Sequence, residues 1–147
     1  MENKKNIFIL IAVVLIIVFG LIWLKSTEPT EEEMVTERGE IISENGIHWH
    51  PELEIYLKGE QIQIPENIGL IGLHSPIHTH DDLPIIHLEF SSVVRENDTR
   101  LGEFFKVWNK DFMEFGEIVK MTVNGEENSE FENYLMRDGD KIELHYE

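Results

Sequence analysis

The chain has 147 residues, room for one domain with little to spare once a terminal segment is set aside. Its 29 acidic and 12 basic residues give a formal net charge of −17. That balance lacks the basic footprint that phosphate recognition needs, so nucleic acid is excluded as a partner and cations are favoured. The absence of cysteine excludes disulfides, thiolate metal sites, cysteine nucleophiles and lipid attachment through a thiol.

Residues 7–24 read IFILIAVVLIIVFGLIWL, 18 residues without a charge. At helical rise such a run spans roughly 27 Å, close to the thickness of a bilayer's hydrocarbon core. Trp23 sits where an interfacial aromatic belongs, Lys4 and Lys5 precede the run, and TEPTEEEMVTE follows Lys25. The positive-inside rule then predicts a single-pass transmembrane helix in the cell membrane, with the N-terminus cytoplasmic and the rest extracytoplasmic. The segment ends FGLIWLKS, without the small-x-small pattern of a cleaved signal peptide. The expected organisation is an anchor over 1–25, an acidic stalk over 26–45 and a folded domain over 46–147.

The domain opens with WHPELEIYLKGEQIQIPE, a predicted β-hairpin. Leu53, Ile55 and Leu57 alternate with polar neighbours, the turn lies at Lys58-Gly59-Glu60, and Pro65 ends the pairing. A loop rich in Gly, Pro and His runs from Asn67 to about Asp82, followed by the strand IIHLEF. Thr99 is the predicted N-cap of a short helix reaching about Lys110, with Leu101, Phe104, Phe105 and Trp108 forming an apolar stripe that packs on a sheet. EIVKMTVNGE is a predicted strand with Val119, Met121 and Val123 inward and a turn at Asn124-Gly125. KIELHYE closes the chain, launched by the turn Arg137-Asp138-Gly139-Asp140 and directing Ile142, Leu144 and Tyr146 inward.

This order of hairpin, further strand, helix, strand and final strand predicts an α+β domain. It resembles the β-grasp fold of ubiquitin-like and sulfur-carrier proteins, and the segment VNGEENSEFENYLMRDGDKIELHY carries the likeness most clearly. The resemblance implies a mixed sheet wrapped on one short helix and no particular activity. The chain ends Tyr146-Glu147 where a sulfur carrier has two glycines, so a carrier role is not expected. The stretches HWHPELEIYLKGE, IPENIGL, IHTHDD, IIHLEF and LGEFFKVW also look like a family of small, membrane-anchored extracytoplasmic proteins. That resemblance spans Ile47 to Glu147 and implies no established function.

Seven histidines are present, and their spacing is the main chemical signal. His48 and His50 form one HxH pair, and two residues apart on a strand they share a face. His78 and His80 form a second, and His87 lies on the polar face of IIHLEF. Neutral imidazoles suit Zn, Cu, Fe and Ni, and such ions need three or four converging ligands. His48, His50, His78, His80 and His87 are therefore the candidate ligands of a transition metal. Ligation by histidine without cysteine favours Cu(II) or Zn(II), with Asp81 or Glu89 completing or orienting the site. His145 is expected at the surface, and His74 stays open between ligand and loop residue.

The predicted role is metal handling or sensing on the outer side of the membrane. The alternatives are an envelope protein-interaction module with structural histidines, or a cupin-type metal-dependent enzyme. Gly72-LHSPI-His78-Thr79-His80 resembles the opening of the first cupin motif, but Leu83, Pro84 and Ile85 stand where a glutamate should follow and the second cupin motif is missing. No nucleophile elbow, P-loop or dinucleotide fingerprint is present, so no catalytic residue is assigned.

Overall fold

The computed structural model describes residues 13–20 and 39–147. The chain divides into two units, Met1–Glu37 and Arg38–Glu147. In the first, residues 13–20 are helical, with Val13, Leu15, Ile16 and Phe19 exposed. Among the described residues no helix is long and apolar enough to cross a membrane. The rest of the expected anchor, and all of the expected stalk before Gly39, lie outside them.

The second unit is mixed α+β. Ten strands follow in chain order: β1 (Ile41–Ser43), β2 (Ile47–Trp49), β3 (Glu52–Leu57), β4 (Glu60–Ile62), β5 (Ile77–His78), β6 (His87–Phe90), β7 (Val94–Arg95), β8 (Ile118–Val123), β9 (Glu126–Glu127) and β10 (Lys141–Tyr146). A helix, α1 (Leu101–Val107), separates β7 from β8. Five strands form the main sheet in the order β4-β3-β10-β8-β9. The last strand lies at its centre, parallel to β3 from Lys141↔Glu52 to Tyr146↔Leu57 and antiparallel to β8. A second sheet has the order β2-β6-β5, and β1 pairs with β7.

Turn chemistry sets the two outer pairings of the main sheet. Leu57 pairs with Glu60, so the first hairpin turn is the two residues Lys58 and Gly59, both at positive φ. That geometry matches the right-handed twist of the flanking strands. Asn124 and Gly125 do the same between β8 and β9. Alternation then buries one face of each central strand: Leu53 and Ile55 on β3, Ile142, Leu144 and Tyr146 on β10. Leu101, Phe104 and Phe105 of α1 complete this core with Met121 and Met136, each large side chain contributing about 1.5–3 kcal/mol by leaving water.

Two local expectations are corrected. Arg100, not Thr99, is the N-cap of α1, and the helix ends at Val107. Thr99 is buried in a 3₁₀ turn, where its hydroxyl donates to the Glu96 carbonyl. In β8, Val119 is 52% exposed. Ile118 pairs with Tyr146 and Lys120 with His145, so Val119 is the extra residue of a bulge and leaves the inward face.

Candidate metal centre

The small sheet places the histidines. On β6, Leu88 and Phe90 face the core, which turns His87 and Glu89 to the other side. His48 on β2 lies opposite Glu89, and His78 on β5 lies directly opposite His87. His50 and His80 stand two residues beyond their partners and so keep the same face. The two HxH pairs, 28 residues or more apart in sequence, therefore reach His87 from both flanks.

The residue between each pair is pinned on the opposite side. Trp49 packs against the core. Thr79 is fully buried, its hydroxyl donates to the Pro65 carbonyl at 2.9 Å, and it accepts from Ile68 N at 3.1 Å. Backbone bonds from Asn67 N to Thr79 O and from Thr79 N to Ile68 O close the strap. The loop before β5 is tight at Gly69, at φ +75°, where an added Cβ would come 2.5 Å from the Ile77 carbonyl.

Six rings form a continuous series. Centroid separations are 4.7 Å for His48–His50, 5.0 Å for His50–His87, 4.8 Å for His87–His80, 4.8 Å for His80–His78 and 4.8 Å for His78–His74. His78 and His87 stack nearly parallel at 5.4 Å. Two groups could each hold a metal ion: His48, His50 and His87, and His78, His80 and His87, with the ligand atoms of each group within 4.8 Å of one another. His145 belongs to neither. It lies on β10, stacked on Tyr56 and 3.3 Å from Glu143.

The hydrogen bonds assign the ring nitrogens. His78 Nδ1 donates to the Ser75 carbonyl at 3.0 Å, which leaves the lone pair on Nε2. His87 Nε2 donates to both oxygens of Asp82, at 3.1 and 3.2 Å, which leaves the lone pair on Nδ1. These two freed nitrogens, His78 Nε2 and His87 Nδ1, are buried and have no hydrogen-bond partner. A histidine with one nitrogen held by a carboxylate or carbonyl and the other bare is arranged as a metal ligand is.

Electrostatics acts on two groups of this cluster. Burial holds the His78 imidazole below its ordinary pKa, against the opposing pull of the Ser75 carbonyl. The hydrogen bond from His87 holds the Asp82 carboxyl below the ordinary carboxylate range. Glu89 Oε1 stands 3.1 Å from His48 Nε2 and 3.8 Å from His87 Nδ1.

Two participants were not among the residues expected from sequence. Asp82, not its neighbour Asp81, orients His87. Asp138, in the turn before β10, accepts from His50 N at 2.8 Å and stands 3.7 Å from His50 Nδ1. Nothing in the local pattern around Asp138 marks that role, because the contact spans 88 residues. His74 lies exposed against the His78 ring and in neither ligand group.

Comparison with known proteins finds no matching family model, no matching curated protein and no matching solved structure.

Proposed function

We propose that this protein binds a first-row transition metal ion, Cu(II) or Zn(II), through its histidine face, as an extracytoplasmic metal-handling or metal-sensing domain tethered to the cell membrane. The observation that carries this reading is the pair of buried, bare ring nitrogens on His78 and His87. An unpartnered buried polar atom destabilises a fold by about 1–3 kcal/mol, and a bound ion gives both atoms a partner. Imidazole ligation without thiolate favours Cu(II) and Zn(II), whose affinity for nitrogen ligands is high among the divalent ions. The net charge of −17 adds a field that draws cations.

The tether is the apolar run Ile7–Leu24, with Lys4 and Lys5 on the cytoplasmic side. The strand order β4-β3-β10-β8-β9, with a central parallel pair and the helix between the two halves, supports reading the main sheet as β-grasp-like. On that reading the β2-β6-β5 sheet, which carries His48, His78 and His87 and is followed closely by His50 and His80, is an addition to the scaffold.

Metal analysis of the full-length chain in detergent, beside a His87→Ala variant, tests the function. His87 belongs to both ligand groups, so the wild type should retain metal through dialysis and the variant should lose it. Equal metal content in the two would sink the reading.

Contact with an envelope protein is a second reading, favoured by the loop beside His74, where Ile71 is 90% and Leu73 96% exposed. A photo-crosslinker placed at Leu73 in native membranes tests it, and an absence of adducts counts against it.

A further inference from the structure

The two ligand groups share His87, and His87 has one lone pair to offer. Its Nε2 proton is engaged by Asp82. Its Nδ1 is the bare atom, and it faces Glu89 Oε1, the oxygen that also meets His48 Nε2. An imidazole lone pair lies in the ring plane and points at one ion. Resting on the metal reading above, we propose that the cluster takes one ion in two alternative positions that pivot on His87 Nδ1. The outer position uses His48 and His50, the inner one uses His78 and His80, and filling either excludes the other.

The positions differ in what can reach them. The His48 and His50 side chains are 65% and 41% exposed, whereas His78 is 1% exposed and His80 half-buried. An ion arriving from solvent meets the outer pair first and keeps part of its water. Moving inward, it exchanges two imidazoles for two imidazoles while its bond to His87 persists. The exchange transfers no electron, and two ring-nitrogen donors leave the ion as two arrive. The outer pair is thus an entry and delivery position for a divalent first-row cation, open to ligands of another chain, and the inner pair is the holding position.

The competing arrangement puts an ion on each nitrogen of His87 as a bridging imidazolate. It requires Asp82 to give up both contacts and His87 to lose its Nε2 proton. Both Asp82 oxygens hold that Nε2 proton, at 3.1 and 3.2 Å, which opposes the loss.

Zn(II) titration by calorimetry and Cu(II) electron paramagnetic resonance on the full-length chain in detergent test the proposal. Wild type should bind one ion. The double variants His48→Ala/His50→Ala and His78→Ala/His80→Ala should each still bind one ion, with different Cu(II) spectra and with the second weaker by about tenfold or more. Should the His78→Ala/His80→Ala chain fail to fold, by circular dichroism, the single variant His80→Ala takes its place, since that residue is only half-buried. Two tightly bound ions in the wild type, or loss of all binding in either double variant, would overturn the two-position proposal and leave the metal reading standing. No binding of either metal by the wild type would remove the metal reading itself.

Discussion

Two ring nitrogens carry the functional argument, and both depend on a neighbour that occupies the opposite side of the ring. Without Asp82, nothing keeps His87 in the tautomer that leaves Nδ1 bare. Asp82→Ala should therefore weaken metal binding by about 10–100-fold, the usual effect of removing a carboxylate behind a ligand histidine. Competition against a metal-binding dye measures this, and an unchanged affinity would show that the carboxylate does not orient the ring. A second consequence concerns the metal-free chain. Burial lowers the pKa of His78 in the folded state, so between the folded and the ordinary values the unfolded chain takes up a proton that the folded chain refuses. The stability contribution of neutral His78 is full above the ordinary imidazole pKa and declines as the pH falls below it toward the lowered value. With metal chelated, denaturant midpoints at about pH 7.5 and about pH 5.5 should differ less in His78→Gln than in the wild type. An equal or larger difference in the variant would refute the burial argument.

At the level of elements, the site depends on a two-residue strand, β5, too short to hold its own register. Its position comes from the strap at Thr79 and from the close turn at Gly69, where positive φ and the nearby Ile77 carbonyl both require glycine. Gly69→Ala should destabilise the domain by about 1–3 kcal/mol from the backbone conformation alone, with the Cβ overlap adding to it. A lower urea midpoint at unchanged slope would report it, accompanied by weaker metal binding because β5 carries His78. Wild-type stability in this variant would mean the loop relaxes freely and does not fix β5. The hairpin turns were legible in the sequence because Lys58-Gly59 and Asn124-Gly125 act locally. The Val119 bulge was not, because it arises from the pairing of Tyr146 with Ile118 across the sheet.

At the scale of the whole domain, the proposed metal binding would be linked to the fold. The candidate ligands come from β2, β5 and β6 and from the residues that follow β2 and β5, so an ion that binds them ties together segments that separate on unfolding. Free Zn(II) at about 100 times its dissociation constant should stabilise the domain by about 2.7 kcal/mol, provided the unfolded chain binds little. The melting temperature should rise with Zn(II) in the wild type and stay level in His87→Ala. A rise of the same size in both would place the stabilising ion elsewhere on this acidic surface.

The apolar run at 7–24, the α+β order and the five candidate ligands were all readable in the chain, because each rests on composition, on periodicity or on spacing within a few residues. The parity of an HxH pair on a strand needs no tertiary information. The joining of two such pairs at His87 does, since it follows from β6 lying between β2 and β5. The same holds for Asp82 rather than Asp81 behind His87, and for Asp138 beside His50. The Asp138 contact joins segments 88 residues apart, the Asp82 contact spans five residues of the connection into β6, and in both the choice among nearby carboxylates is made by which one the fold turns toward the ring.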